Sequence, residues 1–212
     1  VRRDAERDRD LRLYRPAAAA EPPPLVVFFH GSGFVLLDLD THDDLCRRLC
    51  TGAGCAVASV DYRLAPEHPF PAAPDDCLAA TRWLAAQAAA LGVDGTRLVV
   101  CGDSAGGCLA VVTALRLREE AGPPLRGQLL FYPVMDLAPS EPQGSYARFH
   151  SGFGLSHERM AWFWSQYLGP QASAAQPPHV APARMGAVQG MPPANIEVAE
   201  LDVLGDEVEA WA

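Results

Sequence analysis

The sequence predicts an α/β fold in which helices cover both faces of a mostly parallel central sheet. Apolar runs of strand length alternate with stretches of helical periodicity, in the order β, α, β, α, β, α, β. The apolar runs are continuous rather than alternating, which is typical of parallel strands buried on both faces. A chain of 212 residues can bury one core of this kind, so we expect a single domain over residues 1–212.

Each predicted strand and helix follows from a local signal. The first strand comes after a proline cluster, and the first helix begins at Thr41, whose hydroxyl is expected to cap it, and ends at Gly52 and Gly54. The second helix opens at Pro74, because proline suits the first helical turn, and ends at Gly92. The third helix follows the third strand directly. The strands are predicted at residues 25–30, 55–63, 97–102 and 127–134.

The later part of the chain departs from this regular alternation. Residues 138–182 contain many prolines and glycines around one helix, residues 156–169. The apolar side chains of that helix recur at i, i+3, i+4, i+7 and i+8, which predicts a broad apolar face. We interpret residues 138–182 as a cap-like insertion over the carboxyl ends of the strands. A further strand is predicted at residues 194–200.

Composition excludes some functions and leaves others open. The formal net charge of −9 argues against nucleic-acid binding. No apolar run is long enough to span a bilayer, and a cytoplasmic protein is expected. The six cysteines lie mostly among apolar neighbours without a CxxC pair, which indicates buried reduced thiols. His42, Cys46 and Cys50 recur every fourth residue and could ligate zinc, but core packing is favoured because structural zinc ligands usually come from two elements.

The strongest chemical motif is G-x-S-x-G at Gly102–Gly106, between a predicted strand and a predicted helix. Glycines on both sides of Ser104 allow the sharp turn of a nucleophile elbow, which exposes the serine hydroxyl at the start of the helix. We therefore predict that Ser104 is a catalytic nucleophile. The alternative is that Ser104 only caps the helix.

A second motif, His30–Phe34, follows the first strand and is rich in small residues. Its backbone N–H groups can converge on an oxygen that becomes negative during acyl transfer. Together with the N–H of Ala105, the residue after the predicted nucleophile, they would form an oxyanion hole. Taken alone, the motif is better explained as a tight glycine turn after a strand.

Three motifs together resemble one family. HGSGF at residues 30–34 is similar to the HGGGF motif of hormone-sensitive-lipase-like esterases, also called bacterial family IV, and GDSAGG at 102–107 matches their serine motif. DYRLAPEHPFPA at 61–72 matches their YRLAPEHPFPA segment. The resemblance implies an α/β-hydrolase fold, with oxyanion donors at Ser32, Gly33 and Ala105 and with Gly31 as the supporting turn. Ser32 stands where the family usually has glycine, and its side chain could narrow the pocket or add a donor.

The resemblance also implies a catalytic acid. Residues 199–207 resemble the family's AxxDPLRDE segment, which makes Asp202 the predicted triad acid and Asp206 the predicted cap of the following helix. All six histidines precede Asp202, whereas the chain order in α/β-hydrolases is Ser, then Asp or Glu, then His. We therefore expect a C-terminally truncated chain that lacks the last strand, the loop of the catalytic histidine and the final helix. Residues 1–212 by themselves would be almost inactive.

The function implied by the resemblance is carboxylic ester hydrolysis. The expected substrates are small-molecule esters with short to medium acyl chains, in a pocket walled by Phe34 and Tyr132. We expect neither a metal nor an organic cofactor, and the sequence leaves room for a homo-oligomer. The alternative is a non-catalytic small-molecule receptor on the same fold, similar to plant gibberellin receptors. A dinucleotide-binding fold is excluded because no G-x-G-x-x-G opens a helix after a strand.

Overall fold

The structure is a computed structural model that describes residues 2–4, 9–17, 21–169, 179–185 and 188–212. The strands are β1 Arg2–Asp4, β2 Arg9–Tyr14, β3 Pro24–Phe29, β4 Ala56–Val60, β5 Asp94–Asp103, β6 Gly127–Phe131 and β7 Ala194–Glu197. The helices are α1 Asp43–Ala53, α2 Ala72–Ala86, α3 Ala105–Glu119, α4 Ser145–Arg148, α5 His157–Leu168 and α6 Gly205–Trp211, with a 3₁₀ helix at Pro182–Arg184.

The strands form one mostly parallel sheet in the order β1-β2-β4-β3-β5-β6-β7. β4, β3, β5, β6 and β7 pair in parallel, whereas β2 pairs antiparallel with β4 and β1 pairs antiparallel with β2. The predicted α/β fold with a mostly parallel sheet is therefore confirmed.

The two faces of β3 contribute to two separate apolar cores. Leu25, Val27 and Phe29 lie in the larger core, to which α2 and α3 contribute. Phe28, on the opposite face, lies in a smaller core with α1 residues Cys46 and Cys50. Helices thus cover both faces, and the continuous apolar run follows from this double burial. All six cysteines are free and buried, as predicted.

The sequence interpretation missed the antiparallel strands β1 and β2. The alternation of polar and apolar residues in RDLRLY, the sequence of β2, is the signal that could have identified β2. The cap predicted for the first helix is also wrong. The Thr41 hydroxyl donates to the backbone carbonyl of Asp38 at 2.7 Å, and α1 begins at Asp43 after His42, without a side-chain cap. α2 begins at Ala72, before the predicted Pro74.

The chain order of the sheet creates a switch point between β3 and β5. From β3 the chain moves to β4 on one side, and it then returns to add β5 on the other side of β3. The loops that leave the carboxyl ends of β3 and β5 therefore diverge in opposite directions. Such a crevice is the usual place for a ligand site in an open α/β sheet. The two predicted motifs lie in these two loops.

The predicted insertion at 138–182 contains α4 and α5, while residues 170–178 lie outside the described residues. α5 is close to the helix predicted at 156–169, and its buried side chains are Met160, Phe163, Trp164, Tyr167 and Leu168. No helix within the described residues combines the length and the hydropathy of a membrane-spanning segment.

Candidate active site

Ser104 occupies a sharp turn between β5 and α3. Its backbone has φ 52° and ψ −119°, a conformation that is uncommon for a residue with a side chain. The neighbouring glycines make this turn possible: a Cβ on Gly106 would lie 1.9 Å from the carbonyl oxygen of Phe29, and one on Gly102 would lie 2.3 Å from the Gly106 backbone. The Ser104 side chain makes no cap hydrogen bond to α3, so the alternative that it only caps the helix is not supported.

The turn at 31–33 is attached to this elbow through Asp103. The Gly31 N–H donates to a carboxylate oxygen of Asp103 at 2.9 Å. A Cβ on Gly31 would lie 2.3 Å from the other carboxylate oxygen, so only glycine fits there. Because Asp103 directly precedes Ser104, this hydrogen bond sets the position of the turn relative to the serine. It also occupies the Gly31 N–H, which is therefore not available to a ligand.

The backbone after Gly31 lies in the positive-φ region that favours glycine. Ser32 and Gly33 have positive φ values of 101° and 65°. In the part of the chain that the structure describes, no hydrogen bond takes up the N–H groups of Ser32, Gly33 or Ala105. These three groups are therefore available as donors. The Ser32 hydroxyl is different, since it donates to the Leu36 carbonyl and is not a spare donor.

The segment at 61–72 supports the turn from the interior. The Tyr62 hydroxyl donates to the His30 carbonyl at 2.6 Å, and the Tyr62 ring stacks on the His30 ring with 4.4 Å between centroids. The Ala65 N–H donates to the Phe34 carbonyl at 3.0 Å. This family-like motif thus has a structural role: it fixes both ends of the turn.

The structure corrects the prediction for Phe34. The Phe34 side chain is only 1% exposed, and its ring stacks on Tyr167 at 3.9 Å between centroids. It is part of the packing beneath α5 and does not wall an open pocket. α5 also covers the neighbouring residue, since a Cβ on Gly33 would lie 2.2 Å from the Phe163 ring. α5 therefore packs directly against the turn.

Tyr132, the other predicted pocket residue, remains accessible. It follows β6 at the carboxyl edge of the sheet and is 40% exposed. Burial of part of the ring, together with the charges of Asp103 and Asp202, raises the pKa of its hydroxyl. Tyr132 thus lies within electrostatic range of both the elbow and the predicted acid.

Asp202 lies in the turn between β7 and α6. Its carboxylate accepts the Leu204 N–H at 3.0 Å, and burial raises its pKa. The prediction that Asp206 caps α6 is wrong, because Asp206 lies within the first turn of that helix. Its carboxylate instead accepts the Ser145 N–H at 2.9 Å and forms an ion pair with Arg148 at 2.5 Å.

None of the histidines in the described residues makes a hydrogen bond to Ser104 or Asp202. His30 is buried beside Tyr62, His42 contacts Asp103, His157 contacts the Pro139 carbonyl, His179 pairs with Glu119, and His68 and His150 are exposed. The described residues also contain no group of three His, Cys, Asp or Glu side chains that could hold a metal ion. Cys46 and Cys50, which the sequence offered with His42 as zinc ligands, lie in the smaller core.

Two groups of residues near the site were missed by the sequence interpretation. Asp103 and His42 form a contact behind the turn, and the place of Asp103 next to Ser104 is the signal that could have identified it. Glu207, on α6, accepts the Met135 N–H at 2.8 Å and the Tyr146 hydroxyl at 3.2 Å. Glu207 lies beside Asp206, to which the motif directed attention instead.

Comparisons with known proteins agree with this architecture. Residues 26–212 match the model of a family described by the alpha/beta hydrolase fold. The chain is 44% identical over 198 residues to the esterase LipI of Mycobacterium tuberculosis, covering 92% of this chain and 61% of that protein. It is 42% identical over 209 residues to the ethyl acetate hydrolase of Pseudomonas putida, covering 95% and 64%.

Solved structures give the same result. The structure superposes on the esterase LipW from Mycobacterium marinum with a TM-score of 0.89 at 39% identity, covering 99% of this chain and 65% of that one. A hyperthermophilic esterase from Pyrobaculum calidifontis gives a TM-score of 0.89 at 42% identity, covering 96% and 66%. The chain spans less than two thirds of the length of these curated relatives, 61% for LipI and 64% for the Pseudomonas enzyme.

Proposed function

Since the chain belongs to the α/β-hydrolase family, in its hormone-sensitive-lipase-like branch, we propose that it carries most of the active site of a carboxylic ester hydrolase. The observation that carries the proposal is the attachment of the turn at 31–33 to the strained elbow of Ser104 through the Asp103–Gly31 hydrogen bond of 2.9 Å. An attachment of this kind supports a site in which available backbone donors face a hydroxyl, which is what acyl transfer requires.

In the proposed reaction, the Ser104 hydroxyl oxygen attacks the ester carbonyl while a histidine accepts its proton. The carbonyl oxygen becomes negative and is held by the N–H groups of Ser32, Gly33 and Ala105. The tetrahedral intermediate then collapses: the bond to the alcohol breaks, and the histidine protonates the leaving alcohol. Water, deprotonated by the same histidine, attacks the acyl-serine and releases the acid.

Asp202 is the proposed acid that orients this histidine. Backbone donation from Leu204 holds its carboxylate in place, and the burial that raises its pKa would strengthen its attraction to an imidazolium. No histidine of the described residues contacts Asp202, so we propose that the base comes from a part of the protein outside residues 1–212. The length of the relatives, of which this chain covers 61–64%, is consistent with this proposal.

The proposed substrates are esters with short to medium acyl chains. The name of the Pseudomonas relative, ethyl acetate hydrolase, supports a small ester. Tyr132 is accessible at the carboxyl edge of the sheet and would form one wall of the pocket. The contact of α5 with Gly33 supports a cap role for residues 138–182. The cytoplasmic location and the homo-oligomer stay predictions.

The test is hydrolysis of p-nitrophenyl butyrate by the full-length protein. Ser104→Ala is expected to lower kcat by about 10⁴-fold or more, because removal of the nucleophile leaves only binding and the oxyanion hole. Ser165→Ala is a matched control, since Ser165 is exposed on α5 and its hydroxyl donates to the Trp162 carbonyl of the same helix at 2.7 Å. Unchanged turnover in Ser104→Ala would refute the nucleophile. Binding of an ester without turnover by the wild type would favour the receptor alternative.

A further inference from the structure

The His42 side chain contacts Asp103, the residue that holds the turn at 31–33. Its ring is 11% exposed and lies directly before α1. Nε2 lies 3.4 Å from the Asp103 carboxylate, and Nδ1 lies 3.1 Å from the Thr41 hydroxyl. The ring also packs against Phe28, with 5.8 Å between centroids. Both nitrogens therefore have polar neighbours, and the ring has a defined orientation.

The contact with Asp103 links His42 to the site. Asp103 is the last residue of β5, and its carboxylate accepts the Gly31 N–H. The rotamer of Asp103 determines where the Gly31 peptide lies, and that peptide sets the direction of the next two N–H groups. The Asp103 side chain is only 12% exposed, so little water is available to hold the carboxylate in place. Nε2 of His42 lies 3.4 Å from both oxygens of this carboxylate, one of which also accepts the Gly31 N–H.

We propose that His42 is a positioning residue for the oxyanion hole. It holds the Asp103 carboxylate in the rotamer that binds Gly31, and thereby keeps the donors of the turn at the correct distance from Ser104. The inference rests on the proposed hydrolase function. His42 is not the general base, because Nε2 faces Asp103 and Nδ1 faces Thr41, so neither nitrogen is directed at Ser104.

This role predicts a change in kcat without a change in KM. The oxyanion exists only in the transition state and the intermediate, so misplaced donors weaken transition-state binding and leave ground-state binding intact. Complete removal of one donor costs about 10²–10³-fold in kcat, and displaced donors should cost less. We expect His42→Ala to lower kcat by roughly 10- to 30-fold with KM changed less than about twofold.

Two conservative variants separate positioning from packing. The amide nitrogen of Gln reaches the place of Nε2, whereas the amide of Asn reaches only the place of Nδ1. His42→Gln should therefore restore most of the lost kcat, and His42→Asn should not. His179→Ala is the matched control, because His179 also pairs with a carboxylate, that of Glu119 at 2.7 Å, but on the surface.

The experiment measures kcat and KM of the full-length protein and its variants with p-nitrophenyl butyrate. It also measures the inhibition constant of an alkyl trifluoromethyl ketone, which adds to Ser104 and places an oxyanion in the hole. The inhibition constant should rise in parallel with the loss of kcat in the Ala and Asn variants. If His42→Ala does not fold, the comparison of Gln with Asn decides.

Two outcomes overturn the proposal in different ways. If the wild type is active and the Ala or Asn variant has the same kcat and ketone affinity as the wild type, the role of His42 alone is overturned. An equal loss in the Gln and Asn variants that follows their thermal stability has the same consequence, since it indicates packing. A wild type that neither hydrolyses the ester nor binds the ketone overturns the hydrolase function, and this inference with it.

Discussion

Replacing Glu207 with glutamine should remove a pH dependence from the stability of the fold. The carboxylate of Glu207 accepts the Met135 N–H at 2.8 Å, the Asp136 N–H at 3.3 Å and the Tyr146 hydroxyl at 3.2 Å. These contacts join α6 to the segment after β6 and to α4. A glutamine has the same shape and can still accept the backbone N–H groups, so the variant tests the charge rather than the packing.

Burial raises the pKa of Glu207 from 4.5 to about 7, although its three hydrogen bonds act in the opposite direction. In the unfolded chain the carboxyl group releases its proton near its ordinary pKa, whereas in the folded protein it keeps the proton to about pH 7. The folded state therefore binds more protons between these two pH values, and the free energy of unfolding falls as pH rises through this window. The difference in pKa corresponds to roughly 3 kcal/mol.

The assay is urea unfolding followed by tryptophan fluorescence, at intervals from pH 5 to pH 8, for the wild type and Glu207→Gln. Other groups titrate in both proteins, so the difference between the two curves isolates Glu207. We expect the wild type to lose about 2–3 kcal/mol relative to the variant between pH 5 and pH 8. Glu209→Gln, an exposed position on the same helix, is the control. Parallel curves for the wild type and Glu207→Gln would refute the reasoning.

Three further substitutions test the framework around the site. Gly106→Ala should lower the free energy of unfolding by at least about 3 kcal/mol, because its Cβ would lie 1.9 Å from the Phe29 carbonyl oxygen. A variant that unfolds at the same temperature as the wild type would contradict this. Arg63→Ala should lower the free energy of unfolding by about 3 kcal/mol, because Arg63 binds the buried Asp76 through two nitrogens at 2.7 and 2.8 Å. A double-mutant cycle with Asp76→Asn that gives no coupling energy would contradict this. Ser32→Gly should keep kcat within about threefold, since the donors at this position are backbone groups; a loss comparable to that of Ser104→Ala would show that the hydroxyl takes part.

The sequence predicted the elbow correctly because its requirements are local. A strand, a serine between glycines and a helix suffice to specify the turn, in which a Cβ on Gly102 would lie 2.3 Å from the Gly106 backbone. The pattern of apolar runs likewise predicted the parallel strands, because a strand buried on both faces needs apolar residues at every position. The family-like motifs also pointed to the turn at 31–33, whose glycines are required by close contacts with Asp103 and with the Phe163 ring.

The errors came from contacts between segments that are distant in the chain. Phe34 was predicted to wall a pocket, but α5, more than a hundred residues later, covers it. Asp206 was predicted to cap its own helix, but its carboxylate binds the start of α4 instead. In each case the residue type was compatible with both roles, and only the packing of another element selected one of them.

The serine at 104, the glycine turn before it in the chain and the aspartate at 202 could be picked out as candidates from the amino-acid sequence alone. Their arrangement in space follows from the packing of the whole fold. Sheet order brought the loops after β3 and β5 to one switch point, and the carboxylate of Asp103 joined them with a hydrogen bond to Gly31. The physical reason is that backbone strain and burial pattern depend on neighbours in the chain, whereas a hydrogen bond across 72 positions depends on how the whole sheet is ordered.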